Sequence, residues 1–162
     1  MSRDIPVFPD YDDHVSVMMI GNNPAELSGY QYHLSQFEPV RFKTNFAFNL
    51  RRSFFEVRTW QPQYILIDDN FPSDQIRKFI RRVRKNVKTQ AIPVALLKSS
   101  NRHLLISGIQ DYFLKDNFNA ERLYSAVRNS RNIRMAQVIL YRSYKRGKRQ
   151  FRKLRERLKN LF

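Results

Sequence analysis

Four short apolar runs in this 162-residue chain end in side chains that can do chemistry. Val15-Ser16-Val17-Met18-Met19-Ile20 is followed by Gly21-Asn22-Asn23-Pro24, and Tyr64-Ile65-Leu66-Ile67 by Asp68-Asp69-Asn70. Ile92-Pro93-Val94-Ala95-Leu96-Leu97 is followed by Lys98-Ser99-Ser100, and Tyr112-Phe113-Leu114 by Lys115-Asp116. Taken singly, an acid after an apolar run caps the next loop and a lysine there is an exposed lysine. Their shared position is what sets them apart, because ligands of parallel α/β sheets bind outside the carboxyl ends of the strands. Other chemistry is closed off. There is no cysteine, which excludes disulfides, thiol nucleophiles and thiolate metal sites, and His14, His33 and His103 have no ligand spacing to one another, so no metal ligand is assigned.

The elements that would carry these residues alternate. The apolar runs predict strands, with a further short strand over residues 40–44, where apolar and basic residues alternate. Leu27, Tyr30, Leu34 and Phe37 predict a helix over 25–37, and Phe46, Leu50, Phe54 and Val57 one over 45–60. Ser73 or Asp74 is placed to cap a helix whose Ile76, Phe79, Ile80, Val83 and Val87 share one face. A short helix is expected over 101–109, and Asn119 is a good N-cap for a helix running to the C-terminus. Continuous apolar strands between amphipathic helices imply a parallel sheet covered on both faces, an α/β three-layer sandwich.

The net charge of +16 is uneven. Residues 134–162 hold eleven basic residues and one acid, a net +10, which leaves +6 for the first 133. Since 42% of residues are hydrophobic, the basic excess does not mark a disordered polycation. The first residues carry no long apolar run and no stretch of 18 apolar residues exists, so neither a secretory signal nor a membrane-spanning helix is expected and the reading is a soluble, cytoplasmic protein.

Three segments carry a resemblance. Tyr64-Ile-Leu-Ile-Asp-Asp-Asn-Phe-Pro72, Ile92-Pro-Val-Ala-Leu-Leu97 and Gly108-Ile-Gln-Asp-Tyr-Phe-Leu-Lys115 are similar, in order and spacing, to strands three, four and five of the receiver domain of two-component response regulators. The resemblance covers roughly residues 14–132, after an N-terminal extension (1–13) and before a basic amphipathic C-terminal helix (133–162). It implies a five-stranded flavodoxin-like sheet and a role in phosphorelay signalling. It places Asp68 at the phosphoacceptor position, Lys115 at the lysine that pairs with the phosphoryl oxygens, and Tyr112 at the aromatic switch.

Two parts of the pattern are absent. The family holds Mg²⁺ through a pair of acids after strand one, whereas this strand is followed by Gly21, Asn22 and Asn23, a degenerate metal pair. An Asn carbonyl ligates without negative charge, and Asp69 is the only acid helper nearby, so metal affinity is expected to be weak or lost. Where the family places a switching Thr or Ser, this chain has Lys98, with Ser99 next. Lys98 is expected either to pair with Asp68 or to fill the place of the metal as a built-in cation. The segment between strands four and five is also about a helical turn shorter than the family's. The resemblance therefore implies an atypical pseudo-receiver, a non-enzymatic interaction module with little or no phosphorylation at Asp68. A conventional phospho-switch recruiting Mg²⁺ through Asp69 and water is the less favoured alternative.

Beyond the receiver-like part, Leu140, Tyr144, Gly147, Phe151, Leu154, Leu158 and Leu161 form a seam at coiled-coil spacing. Around it lie Arg142, Lys145, Arg146, Lys148, Arg149, Arg152, Lys153, Arg155, Arg157 and Lys159. Flanking charges of one sign oppose a tight parallel homodimer, so a homodimer stays open only as a weaker association beside an acidic partner protein, the body itself, an anionic membrane surface, or nucleic acid bound non-specifically. No base-reading module fits in these residues. A nucleic-acid-binding accessory protein is accordingly the competing reading.

Overall fold

The computed structural model describes residues 14–100 and 105–161. Its strands are β1 (His14–Ile20), β2 (Arg41–Ala47), β3 (Tyr64–Asp68), β4 (Val94–Lys98) and β5 (Asp111–Leu114), all parallel, in the order β2-β1-β3-β4-β5. The hydropathy of each strand matches its place. All five residues of β3 and the first four of β4 are buried, as central strands covered on both faces must be. Edge strand β2 alternates, with Arg41, Lys43 and Asn45 exposed, which discourages edge-to-edge pairing with another sheet.

The helices α1 (Pro24–Ser35), α2 (Leu50–Trp60), α3 (Ser73–Lys85) and α4 (Ala120–Lys159) divide between the faces. One core joins Met18, Ile20, Ile65, Ile67, Val94 and Leu96 to Leu50, Phe54, Val57, Ile76, Phe79 and Val83 of α2 and α3. The other joins Val17, Met19, Leu66 and Leu97 to Leu27 and Leu34 of α1 and to Ala120, Leu123 and Val127 at the start of α4. This alternation along each strand, odd residues to one face and even to the other, decides which side chains can meet at the strand ends.

The chain divides at Val127 and Arg128 into two compact units. In the second, Leu140, Tyr144, Phe151, Leu154 and Leu158 of α4 and Leu161 in the turn after it are each more than half exposed, so the seam lies on the surface of that unit. Among the described residues no helix is long and apolar enough to cross a membrane.

Several boundaries depart from the sequence expectation. Residues 45–47 belong to β2, where Phe46 and Ala47 pair with Met19 and Ile20, and α2 starts only after Asn49, whose Oδ1 accepts from the N–H groups of Arg51 (2.8 Å) and Arg52 (3.2 Å). The helical spacing of Phe46 thus loses to a strand register. Neither Ser73 nor Asp74 caps α3; Pro72 holds that place without a side-chain bond, and Val87 lies beyond the helix, 83% exposed. Of the helix expected over 101–109, residues 101–104 lie outside the described residues, and 105–109 form a turn. There Gly108 adopts φ +91°, open to glycine, and Ile106 is buried in the α2–α3 core. Asn119 does cap α4, accepting from the Arg122 N–H at 2.9 Å. The extension 1–13 and His103 lie outside the described residues.

Candidate functional site

The register brings the four singled-out segments to one rim of the sheet: Ile20 lies beside Ile67, Asp68 beside Leu97 and Lys98 beside Leu114. Asp68 has no exposed surface. Its Oδ1 sits 2.8 Å from the Lys115 ammonium and accepts a 2.8 Å hydrogen bond from the Asn70 N–H, whereas Oδ2 is buried without a hydrogen-bond partner.

Lys115 gathers two further carboxylates. Its Nζ lies 3.1 Å from Glu26 Oε2 and 3.8 Å from Asp69 Oδ1, so three acids converge on one ammonium that is itself 11% exposed. Asp69 is committed elsewhere as well. Ser99 donates to it twice, from its backbone N–H (2.8 Å) and its hydroxyl (2.7 Å), a clasp between the loops after β3 and β4.

Burial pushes the Asp68 carboxyl above the usual carboxylate range, and the neighbouring Glu26 adds to the rise; Lys115 and the Asn70 N–H oppose it without overcoming it. For Lys115 burial acts to lower the pKa, yet hydrogen bonds and attraction from Asp68 and Glu26 hold the ammonium above the usual lysine value.

After β1, Gly21 is enclosed: a Cβ there would meet Leu27 Cδ2 at 3.1 Å and the Asp68 Cβ at 3.3 Å. Asn22 is exposed. Asn23 caps α1, its Oδ1 accepting from the N–H groups of Ala25 (3.1 Å) and Glu26 (3.4 Å). None of the three brings negative charge to the rim.

Lys98 does not take the place expected of it. The ion-pair partner of Asp68 is Lys115, and the Lys98 ammonium lies 5.5 Å from the centroid of the Tyr112 ring. Strand alternation is the reason. Asp68 shares the parity of Leu66 and faces α1, while Lys98 shares that of Leu96 and faces the α2–α3 side, where Tyr112 packs. The Tyr112 hydroxyl accepts from the Ile106 N–H at 3.0 Å, which ties the aromatic side chain to the turn before β5.

Glu26 is the site residue that sequence reasoning missed. The sequence marks Glu26 only as part of Asn23-Pro24-Ala25-Glu26, a cap followed three residues later by Glu. In a capping box that Glu returns to the cap's own N–H; here it reaches Lys115 instead.

The ten basic residues 142–159 singled out from the sequence are all exposed on α4 within the second unit, far from any strand end in sequence.

No protein-family model and no curated protein sequence matches the chain. Solved structures do. A response regulator from Desulfuromonas acetoxidans is 22% identical with a TM-score of 0.58, over 74% of this chain and 98% of that one. The receiver domain of a sensor histidine kinase from Pseudomonas aeruginosa, with a magnesium ion coordinated in its active-site cleft, is 15% identical with a TM-score of 0.60, over 72% and 96%. A signal receiver domain of a histidine kinase from Syntrophus aciditrophicus is 20% identical with a TM-score of 0.57, over 72% and 89%. Residues 14–127 thus have the receiver-domain fold, a five-stranded parallel sheet of flavodoxin-like order between two helical layers. A long helix follows it.

Proposed function

We propose that this protein is a receiver-fold signalling module that acts by binding protein partners, without phosphoryl turnover at Asp68 and without enzymatic activity of its own. The observation that carries this reading is the Lys115 ammonium held between Asp68, Glu26 and Asp69 at 2.8, 3.1 and 3.8 Å. Lys115, and not Lys98, is the built-in cation. The donor set does not fit Mg²⁺ while that ammonium is in place: Lys115 Nζ occupies the point on which the three carboxylates of Asp68, Glu26 and Asp69 converge, Asn23 Oδ1 caps α1, and Ser99 donates to both Asp69 oxygens. Transfer of a phosphoryl group to a carboxylate depends on cations neutralising the transferring group, and a single lysine already shared by three acids supplies little of that charge.

Incubation with acetyl phosphate or phosphoramidate and Mg²⁺, followed by intact-mass measurement, tests the proposal. No mass gain is expected. A gain of one phosphoryl group that disappears in Asp68→Asn overturns it.

A second reading has its own observation, the ten exposed basic side chains on α4. As a polyanion-binding surface they give strong, salt-sensitive and sequence-independent binding to nucleic acid. Filter binding to duplex DNA at several salt concentrations decides it: a steep salt slope lost on deletion of residues 138–162 favours this reading, and no binding at low salt removes it.

A further inference from the structure

The charge of the body is concentrated on one pair of helices. Together α2 and α3 carry nine basic residues (Arg51, Arg52, Arg58, Arg77, Lys78, Arg81, Arg82, Arg84 and Lys85) against Glu56 and Asp74, a net +7 that exceeds the +6 of the first 133 residues. Between the two helices runs an open groove of about 450 Å³. Buried Leu50 and Phe79 and half-buried Phe71 form its floor, and exposed Arg51, Lys78 and Arg82 its rim. Asn49 and Gln75 complete the lining, which contains no acid.

Aromatic stacking fixes one side of the rim. The Arg82 guanidinium stacks 4.3 Å from the Phe54 ring centroid and 5.5 Å from that of Phe55, so its carbon face is covered while its N–H edges are left to solvent or a ligand. Among the described residues neither Arg51 nor Arg82 forms an ion pair, and Lys78 has only an exposed 3.6 Å contact with Asp74. Phe55 (57% exposed) beside Arg82, and Phe48 (53% exposed) next to Asn49 in the chain, extend the apolar surface beyond the groove.

We propose that the α2–α3 groove docks an acidic segment of a partner protein, with an apolar side chain seated on Leu50, Phe71 and Phe79 and carboxylates on Arg51, Lys78 and Arg82. An open groove flanked by exposed phenylalanines suits a chain segment laid across it better than an enclosed small molecule. Like charge opposes a second copy presenting the same face. A phosphate backbone would use the rim and leave the apolar floor uncovered. The inference stands apart from the chemistry of Asp68 and survives or fails without it.

The test is fluorescence anisotropy of the full chain with a dye-labelled probe peptide of about four helical turns, its leucine and phenylalanine on one face and glutamate elsewhere. A scrambled isomer, oligoglutamate and a short DNA duplex serve as comparisons. Expected are saturable binding of the amphipathic probe, at least about ten-fold weaker binding of the scrambled isomer and of oligoglutamate, and a loss of about ten-fold in the exposed double variant Arg51→Glu/Arg82→Glu, whose folding is checked by its urea midpoint because Arg82 stacks on Phe54. Phe71→Ser weakens the probe too, whereas Arg152→Glu/Arg155→Glu in the second unit changes its affinity by less than about two-fold. The proposal is overturned if the probe does not bind, if the groove variants leave its affinity unchanged, if the second-unit variant abolishes it, or if the groove variants cost more in duplex DNA binding than in peptide binding.

Discussion

Replacing Lys115 with Met keeps the length and apolar stem of the side chain and deletes the one charge that Asp68, Glu26 and Asp69 share. Asp68 is fully buried, so in the variant its carboxylate has neither water nor a counter-charge and retains a single 2.8 Å bond from the Asn70 N–H. Removing one partner of a buried pair costs about 3–5 kcal/mol. Because the ammonium is 11% exposed and Glu26 is 37% exposed and can turn to water, the lower end applies: about 3 kcal/mol, a factor of about 150 in the folding equilibrium. The loss carries a pH signature. Without Lys115 the Asp68 carboxyl rises further above its ordinary value, the folded chain then binds a proton more tightly than the unfolded one, and the deficit shrinks as pH falls from about 8 to about 5. At the alkaline end the two proteins converge for a different reason. The stability that the ammonium supplies is complete below the ordinary lysine value of 10.5 and is lost as pH rises through its higher folded value. Urea denaturation followed by far-UV circular dichroism at several pH values measures both limbs. Adding Asp68→Asn to Lys115→Met is expected to recover about 2 kcal/mol. A deficit under about 1 kcal/mol at pH 8, a deficit that ignores pH, or no recovery in the double variant refutes the reasoning.

Three further perturbations probe the frame around the site. Gly108→Ala places a Cβ 2.6 Å from Ile80 Cγ2 at φ +91°, and a loss above about 2 kcal/mol is expected in the urea midpoint at unchanged slope. Gly21→Ala wedges a methyl between Leu27 and Asp68 at 3.1 and 3.3 Å; thermal unfolding is expected to register about 1–3 kcal/mol, and a neutral result would mean the loop after β1 is looser than its contacts imply. Tyr64→Phe removes the hydroxyl that donates to Asp111 Oδ2 at 2.5 Å, at a cost of about 1 kcal/mol. Burial first and Asp111 second hold that phenol well above the usual tyrosine value, so wild-type stability from it persists below pH 10.0 and declines above; the substitution should remove that alkaline decline in a pH titration of stability.

The strands were legible because a doubly covered parallel sheet writes itself as unbroken apolar runs, and Tyr64-Ile65-Leu66-Ile67 has no other economical reading. Phe46 was not, since one residue fits both a helical series with Leu50, Phe54 and Val57 and a strand beside Met19; only pairing with β1 separates them. The turn over 105–109 hid behind a residue type: a glycine at φ +91° and a buried Ile106 look, in sequence, like a weak helix. At the rim, Asp68, Lys115 and Tyr112 were recognisable from motif spacing. The partner of Asp68 was not settled by that spacing, because Lys98 stands as near in sequence to a strand end as Lys115 does. Side-chain parity along β3 and β4 decides between them, and parity needs the register. Glu26 was hidden by distance, 89 residues from Lys115 along the chain.

The clasp between Asp69 and Ser99 bears on how information would pass through such a module. A ligand shifts a two-state equilibrium only by the difference in its affinity for the two states. On the proposed reading the hydroxyl after β4 and the cation after β5 are already bound to carboxylates of the same chain, while Asp68 Oδ2 stays buried without a hydrogen-bond partner. An effector that rearranges this rim must supply the difference itself: moving a population from 1:99 to 99:1 takes about 5.5 kcal/mol of differential binding. Breaking the clasp frees both oxygens of Asp69 from Ser99 at once, so an effector that acts on the loop after β4 acts on the loop after β3 as well.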